Sequence, residues 1–180
     1  MEKSEIRKKI IVKLSKLSSL EREKHTLRLV NKLMSMSVIQ KADSVGITIS
    51  HFPELDTHLM IEKLWQQNKQ IVCPKVASNH RMNFIRIDEN TKFNLSNLGI
   101  VEPELIKNKI NNSPDIIIVP GIGFSLTQHQ RVGFGGGYYD RFLRFYKGQT
   151  IAVALPIQII PNDIMVNFDK NDVPINQIIY

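Results

Sequence analysis

Asp115-Ile116-Ile117-Ile118-Val119-Pro120 is the segment that most restricts how this chain can fold. It is short, almost wholly apolar and rich in β-branched residues, and Pro120 and Gly121 close it. A strand with one wet face alternates polar and apolar residues. A continuous apolar run of this length reads instead as a strand covered on both faces, as in a parallel sheet. Parallel neighbours need crossover connections, usually helices, so the segment points to an α/β fold.

The rest of the chain supplies elements of the right kinds. Ile6, Ile10, Leu14 and Leu17 recur at helical spacing among lysines and arginines, predicting a basic amphipathic helix over residues 3–17. Ser18 and Glu21 have capping-box spacing and open a second helix to about Met36. Strands are expected over residues 44–50, 70–74, 81–87, 149–155 and 175–180, with Met82, Phe84 and Arg86 on one face of the third. Thr57 is placed to cap a helix ending near Asn68, on which Trp65 reads as a packing residue. Residues 88–113 are polar and irregular. The sum is a single three-layer α/β/α sandwich with a mostly parallel central sheet, one domain over residues 1–180 or a domain with a small appendage.

Beyond the central strand lies Gly133-Phe134-Gly135-Gly136-Gly137-Tyr138-Tyr139-Asp140, flanked by Arg131 and Arg141. Glycines let a ligand touch the backbone, and successive free N–H groups can form an anion-binding concavity. Residues 138–145 read as a helix, so the loop runs into a helix N-terminus, which suits phosphate. Asp140 falls in its first turn, where a carboxylate could hold magnesium beside that phosphate. Open α/β sheets bind ligands at this carboxyl edge. Taken alone, the cluster suits a plain glycine-rich connection equally well. It is neither a Walker loop, since no Gly-Lys-Ser/Thr follows, nor a dinucleotide fingerprint.

The net charge of +7 is concentrated: residues 1–32 hold ten Lys/Arg and four Glu, a balance of +6. Such a segment suits a solvated helical face, a nucleic-acid patch or a field that draws in an anionic small molecule. No aromatic-interleaved basic surface accompanies it, which speaks against nucleic acid. The single cysteine, Cys73, lies in an apolar run and reads as a buried strand residue. No histidine pair has zinc spacing, and no apolar run approaches membrane-spanning length. The chain reads as a cytoplasmic monomer without membrane or nucleic-acid partners. Glu54, past the first strand, and Asp172, near the last, are unremarkable by themselves.

Together these residues resemble the 5-formyltetrahydrofolate cyclo-ligase family, also called methenyltetrahydrofolate synthetases. The resemblance rests on Val119-Pro120-Gly121-Ile122-Gly123-Phe124 and on the block from Arg131 to Leu143. Lys3-Ser4-Glu5-Ile6-Arg7, Glu54-Leu55-Asp56-Thr57 and Asp172-Val173-Pro174 extend it over essentially the full length. The family is similar in fold to the sandwich just described. It uses ATP and magnesium to close the formyl group of 5-formyltetrahydrofolate, a reduced folate, into 5,10-methenyltetrahydrofolate. The resemblance implies that ATP is held by Lys3, Arg7, Arg131, Val132, Gly133, Phe134, Gly135, Gly136, Gly137, Tyr138 and Tyr139. Folate would meet Ile49, Glu54 and the loop from Phe134 to Tyr138, magnesium would sit on Asp140 and Asp172, and Arg131 and Tyr138 would be catalytic. Two departures are His129-Gln130, where the family often has small residues, and Val132 in place of a leucine; both bear on the loop's conformation. A competing reading is another enzyme on a similar sandwich, such as a sugar-phosphate isomerase, which would need no ATP.

Overall fold

The computed structural model describes residues 1–96 and 99–180. Its centre is a six-stranded sheet in the order β10-β9-β6-β1-β2-β3. These strands are β1 Ser44–Gly46, β2 Gln70–Val76, β3 Met82–Ile87, β6 Ile116–Ile118, β9 Gln149–Val153 and β10 Gln177–Ile179. All pairs are parallel except β2 with β3, an antiparallel hairpin. The strand read as buried on both faces is β6, with Ile116, Ile117 and Ile118 all buried.

One face carries α1 Lys3–Lys16, α2 Ser19–Met34, α3 Ser37–Lys41 and α4 His58–Gln66. Their apolar sides, including Ile6, Ile10, Leu29, Leu33, Met60 and Leu64, close on Val45, Ile71, Ile116, Ile118 and Ile151 in the main core. The other face is covered by one short helix, α5 Tyr138–Leu143, against Val72, Phe84, Ile117, Val119 and Ala152. Neighbouring residues of β6 thus feed opposite cores, as strand geometry requires.

Several sequence expectations hold. Ser18 and Glu21 form the capping box, and Cys73 is buried, its thiol pushed up to about 12 by desolvation. Others need correction. The first strand stops at Gly46, because residues 48–50 leave the ladder and bond to side chains near Thr57. Thr57 does not cap α4, because its hydroxyl is committed to Thr48 O; Asp56 Oδ1 accepts from the N–H of His58 instead. The second helix breaks after Met34 and resumes as α3, and Arg86, at the end of an edge strand, is exposed. Trp65 is 40% exposed, so it is largely a surface residue. The stretch read as irregular holds a hairpin, β4 Phe93–Leu95 with β5 Val101–Pro103, and a 3-10 turn at Lys107–Lys109; residues 97–98 lie outside the description. A second hairpin, β7 Gly123–Ser125 with β8 Gln130–Val132, stands between β6 and the glycine loop.

Connections leave β1 toward β2 and β6 toward β9, so the chain winds away in opposite directions from the β1–β6 pair. That is a topological switch point, and its carboxyl end is where such sheets form a crevice.

Candidate active site

The loops after β1 and β6 flank the switch point. Between them is a cavity of about 50 Å³ lined by Thr48, Ser50, Glu54, Val119, Pro120 and Gly121 among others. Glu54 enters it on a braced loop: Arg22 Nη1 donates to Pro53 O at 2.5 Å and to Glu54 O at 3.2 Å. Its carboxylate, 19% exposed, faces His51 at 3.7 Å. Burial raises its pKa, and the His51 N–H and ring oppose that without cancelling it. Ile49 packs partly buried against the main core.

The hairpin β7–β8 returns the chain to the same edge and launches the glycine loop. His129, where the resemblance leads one to expect a small residue, takes a left-handed φ of 52° and the hairpin still pairs. Val132 is fully buried, so its side chain anchors the loop and leaves only its backbone to a ligand. Two glycines are required by geometry: Gly135 has φ 107°, and Gly137, at the N-cap of α5, has φ 66°. The N–H groups of Phe134, Gly135, Gly136 and Gly137 meet no acceptor among the described residues. Phe134 is exposed.

Arg131 is the most telling side chain. It is 6% exposed, its guanidinium lies over the Tyr139 ring at 5.5 Å, and Nη2 is 3.0 Å from Asp140 Oδ1. That contact is an ion pair without hydrogen-bond alignment, for Nε and Nη2 are both buried donors with no bonded acceptor. Buried polar groups nearly always find partners, so these guanidinium donors are free to take an anion. A Cβ added at Gly133 would strike Arg131 Nη1, so this glycine makes room for the guanidinium.

Helix α1 delivers two more cations from one face. Arg7 Nε donates to Gly133 O at 2.8 Å. Lys3 Nζ donates to Asp172 at 2.6 and 2.8 Å and to Asp169 at 3.2 Å. Burial lowers the Lys3 pKa, but these carboxylates outweigh it and the net shift is upward. The N–H of Val173 donates to Asp140 Oδ1 at 3.4 Å, so Asp140 sits one residue from Asp172 despite their separation in sequence. Among the described residues no cluster of three or more His, Cys, Asp or Glu forms a ready metal cage. Tyr138 packs beside His80, with ring centroids 5.9 Å apart, and under Arg141 at 5.4 Å. Arg141 ties this corner together, donating to Gly136 O and to His80 O. A larger cleft of about 1220 Å³ opens there along the outer side of α5, away from Glu54 and Arg131. Arg131 and its two unbonded donors do not line that cleft.

The structure therefore gathers Lys3, Arg7, Arg131, the glycine loop, Asp140 and Asp172 at one edge, with Glu54 beside them across Tyr139. Sequence reasoning missed Thr48, whose hydroxyl is 2.6 Å from Tyr139 Oη, and Arg22. The polar Thr48 and Ser50 in an otherwise apolar run were the available signal.

Fold and site define an α/β sandwich protein with a glycine loop and several cations at the switch-point edge of its sheet. Known proteins of this kind narrow that class. The chain is 27% identical over 192 residues to a mouse 5-formyltetrahydrofolate cyclo-ligase, covering 97% of this chain and 91% of that protein. The solution structure of an Aquifex aeolicus 5,10-methenyltetrahydrofolate synthetase superposes with a TM-score of 0.79 at 29% identity, over 98% of this chain and 88% of that one. A Mycoplasma pneumoniae 5,10-methenyltetrahydrofolate synthetase gives 0.75 at 25% identity, over 99% and 98%. A family profile covers residues 1–180, and the chain belongs to the 5-formyltetrahydrofolate cyclo-ligase family.

Proposed function

We propose that this chain, acting as one catalytic unit over residues 1–180, converts 5-formyltetrahydrofolate to 5,10-methenyltetrahydrofolate with hydrolysis of ATP to ADP and phosphate. The observation that carries the reading is Arg131, a buried guanidinium with two orphaned donors on the strand that leads into the glycine loop of a chain from this family.

The formyl group is an amide, and its oxygen is a poor leaving group. In the proposed reaction that oxygen attacks the γ-phosphorus of ATP and ADP leaves. Nitrogen 10 of the folate then attacks the activated carbon and gives up its proton, and phosphate departs with the former formyl oxygen. Phosphoryl transfer asks a protein chiefly for positioning and charge neutralisation. Lys3, Arg7, Arg131 and the loop N–H groups supply cations and donors for the phosphates. Glu54 accepts hydrogen bonds from the pterin, with Ile49 and Phe134 offering apolar contact. Tyr138, in the first turn of α5, is the loop's last residue to meet both substrates and is taken with Arg131 as catalytic.

Magnesium fits the residues present. Asp140 and Asp172 offer hard oxygen donors, Asp140 accepts from the N–H of the residue after Asp172, and the pair numbers what magnesium usually takes from protein beside phosphate and water. They would hold the ion, which would offset phosphate charge. Part of the basic N-terminal charge is used within the fold: Arg22 donates to the backbone carbonyls of residues 14, 53 and 54, whereas Arg28 and Lys32 meet Tyr180 O at the surface. This supports a small-molecule enzyme over a nucleic-acid binder. No helix among the described residues is long and apolar enough to cross a membrane, and the reading includes a cytoplasmic monomer.

The test is direct: incubate the protein with Mg-ATP and 5-formyltetrahydrofolate and follow the methenyl chromophore and ADP. Both should appear together and neither without ATP. Absence of the chromophore with folded protein would overturn the proposal.

A further inference from the structure

Tyr139 joins two parts of the site that sequence leaves 91 residues apart. Its ring lies under the Arg131 guanidinium, and its hydroxyl is 2.6 Å from Thr48 Oγ1. Thr48 is itself fixed. Its carbonyl accepts from Thr57 Oγ1 at 2.7 Å, and Thr57 Oγ1 accepts from the Ser50 N–H at 3.0 Å. The Thr57 N–H returns a bond to Ser50 Oγ at 2.9 Å. These bonds tie both ends of the loop that carries Glu54. On the far side, Tyr139 sits in the first turn of α5 between Tyr138 and Asp140.

We infer that Thr48 is a positioning residue, whose hydrogen bond to Tyr139 sets the spacing between the folate-side loop and the phosphate-side loop. The inference rests on the function proposed above. That reaction joins atoms of two substrates, ATP on the glycine loop and the folate shared between that loop and the one carrying Glu54. Reacting atoms must approach to about 3–3.5 Å, and a misplacement of about 1 Å costs up to about 100-fold in rate. A rigid contact between the loops is the means of holding that approach. Each substrate would still keep its own binding contacts without it.

The test compares Thr48→Val, which keeps the shape and removes the hydroxyl, with Thr48→Ser, which keeps the hydroxyl. Thr48→Val should lower kcat on the order of tenfold while both KM values stay within about twofold. Thr48→Ser should recover most of kcat. Tyr139→Phe should match Thr48→Val, and the double variant should be little worse than either, since both act through one bond. Tyr139→Phe alone gives the same readout if Thr48→Val does not fold. A purely structural role would lower the melting temperature and leave kcat per folded enzyme unchanged; that result, or additive losses, would overturn the inference. An inactive wild type would instead sink the proposed function, so the two failures are distinguishable.

Discussion

Arg131→Met removes the guanidinium and keeps most of the stem's volume. In the ligand-free protein two effects oppose. Each buried donor left without an acceptor costs about 1–3 kcal/mol, so losing Nε and Nη2 relieves about 2–6 kcal/mol. Against this, breaking a buried ion pair costs about 3–5 kcal/mol. The low end applies because the Asp140 side chain is 22% exposed and solvent screens it. The two nearly cancel, so the variant should melt within about 5 °C of wild type. Ligand binding is where it should fail. Two charge-assisted bonds to phosphate contribute about 1.5 kcal/mol each at the low end, and losing about 3 kcal/mol raises Kd about 150-fold. At Mg-ATP about 100-fold above the wild-type Kd, wild type gains about 2.7 kcal/mol and the variant about 0.3 kcal/mol. For a chain of 180 residues that is a shift of about 5–11 °C falling to about 1 °C. Differential scanning fluorimetry with and without Mg-ATP measures both. Equal ligand-induced shifts in the two proteins would refute the reading of Arg131 as the anion's ligand.

Glu54→Gln tests burial by its pH sign. A carboxyl with a raised folded pKa contributes stability in full below its unfolded value and loses it as pH rises through the folded one. The variant should therefore melt higher than wild type at pH 8, with the gain vanishing near about pH 4, and bind 5-formyltetrahydrofolate more weakly; a gain that grows on acidification would contradict the burial argument. Asp140→Asn and Asp172→Asn should each raise the magnesium needed for half-maximal rate, with a combined loss less than additive in free energy, whereas additive losses at an unchanged magnesium requirement would separate them. At Gly136 an added Cβ would lie 2.8 Å from Tyr138 Cδ2, so Gly136→Val must displace that ring. Because the site is an exposed loop, circular dichroism should stay unchanged while kcat falls at least tenfold; a fully active variant would make the loop a mere connection.

The architecture was legible where a single face or pair of faces dominates a residue's fate. Ile116 to Ile118 declared a doubly covered strand, and Ile6, Ile10 and Leu14 declared the buried stripe of α1. Local polar bonding was not legible. Thr57 looked like a cap, yet its hydroxyl is taken by a carbonyl nine residues earlier, a choice that depends on how the loop closes. The hairpin β7–β8 was hidden for a related reason: three-residue strands carry too little periodicity to announce themselves. In the site, the glycine run and the shared helical face of Lys3 and Arg7 pointed to anion binding. The link between Asp140 and the residue after Asp172 came only from the resemblance, because nothing in local sequence spans the intervening helix and strand. Thr48 was absorbed into an overlong strand, and its tie to Tyr139 is tertiary.

The central claim is that the formyl oxygen is phosphorylated and leaves on phosphate. It is tested most directly by supplying 5-formyltetrahydrofolate with ¹⁸O in the formyl group, turning it over with Mg-ATP in ordinary water, and weighing the inorganic phosphate. One ¹⁸O per phosphate released, matched to methenyl product, is the expected result. Unlabelled phosphate, with the heavy oxygen recovered in water, would contradict the account.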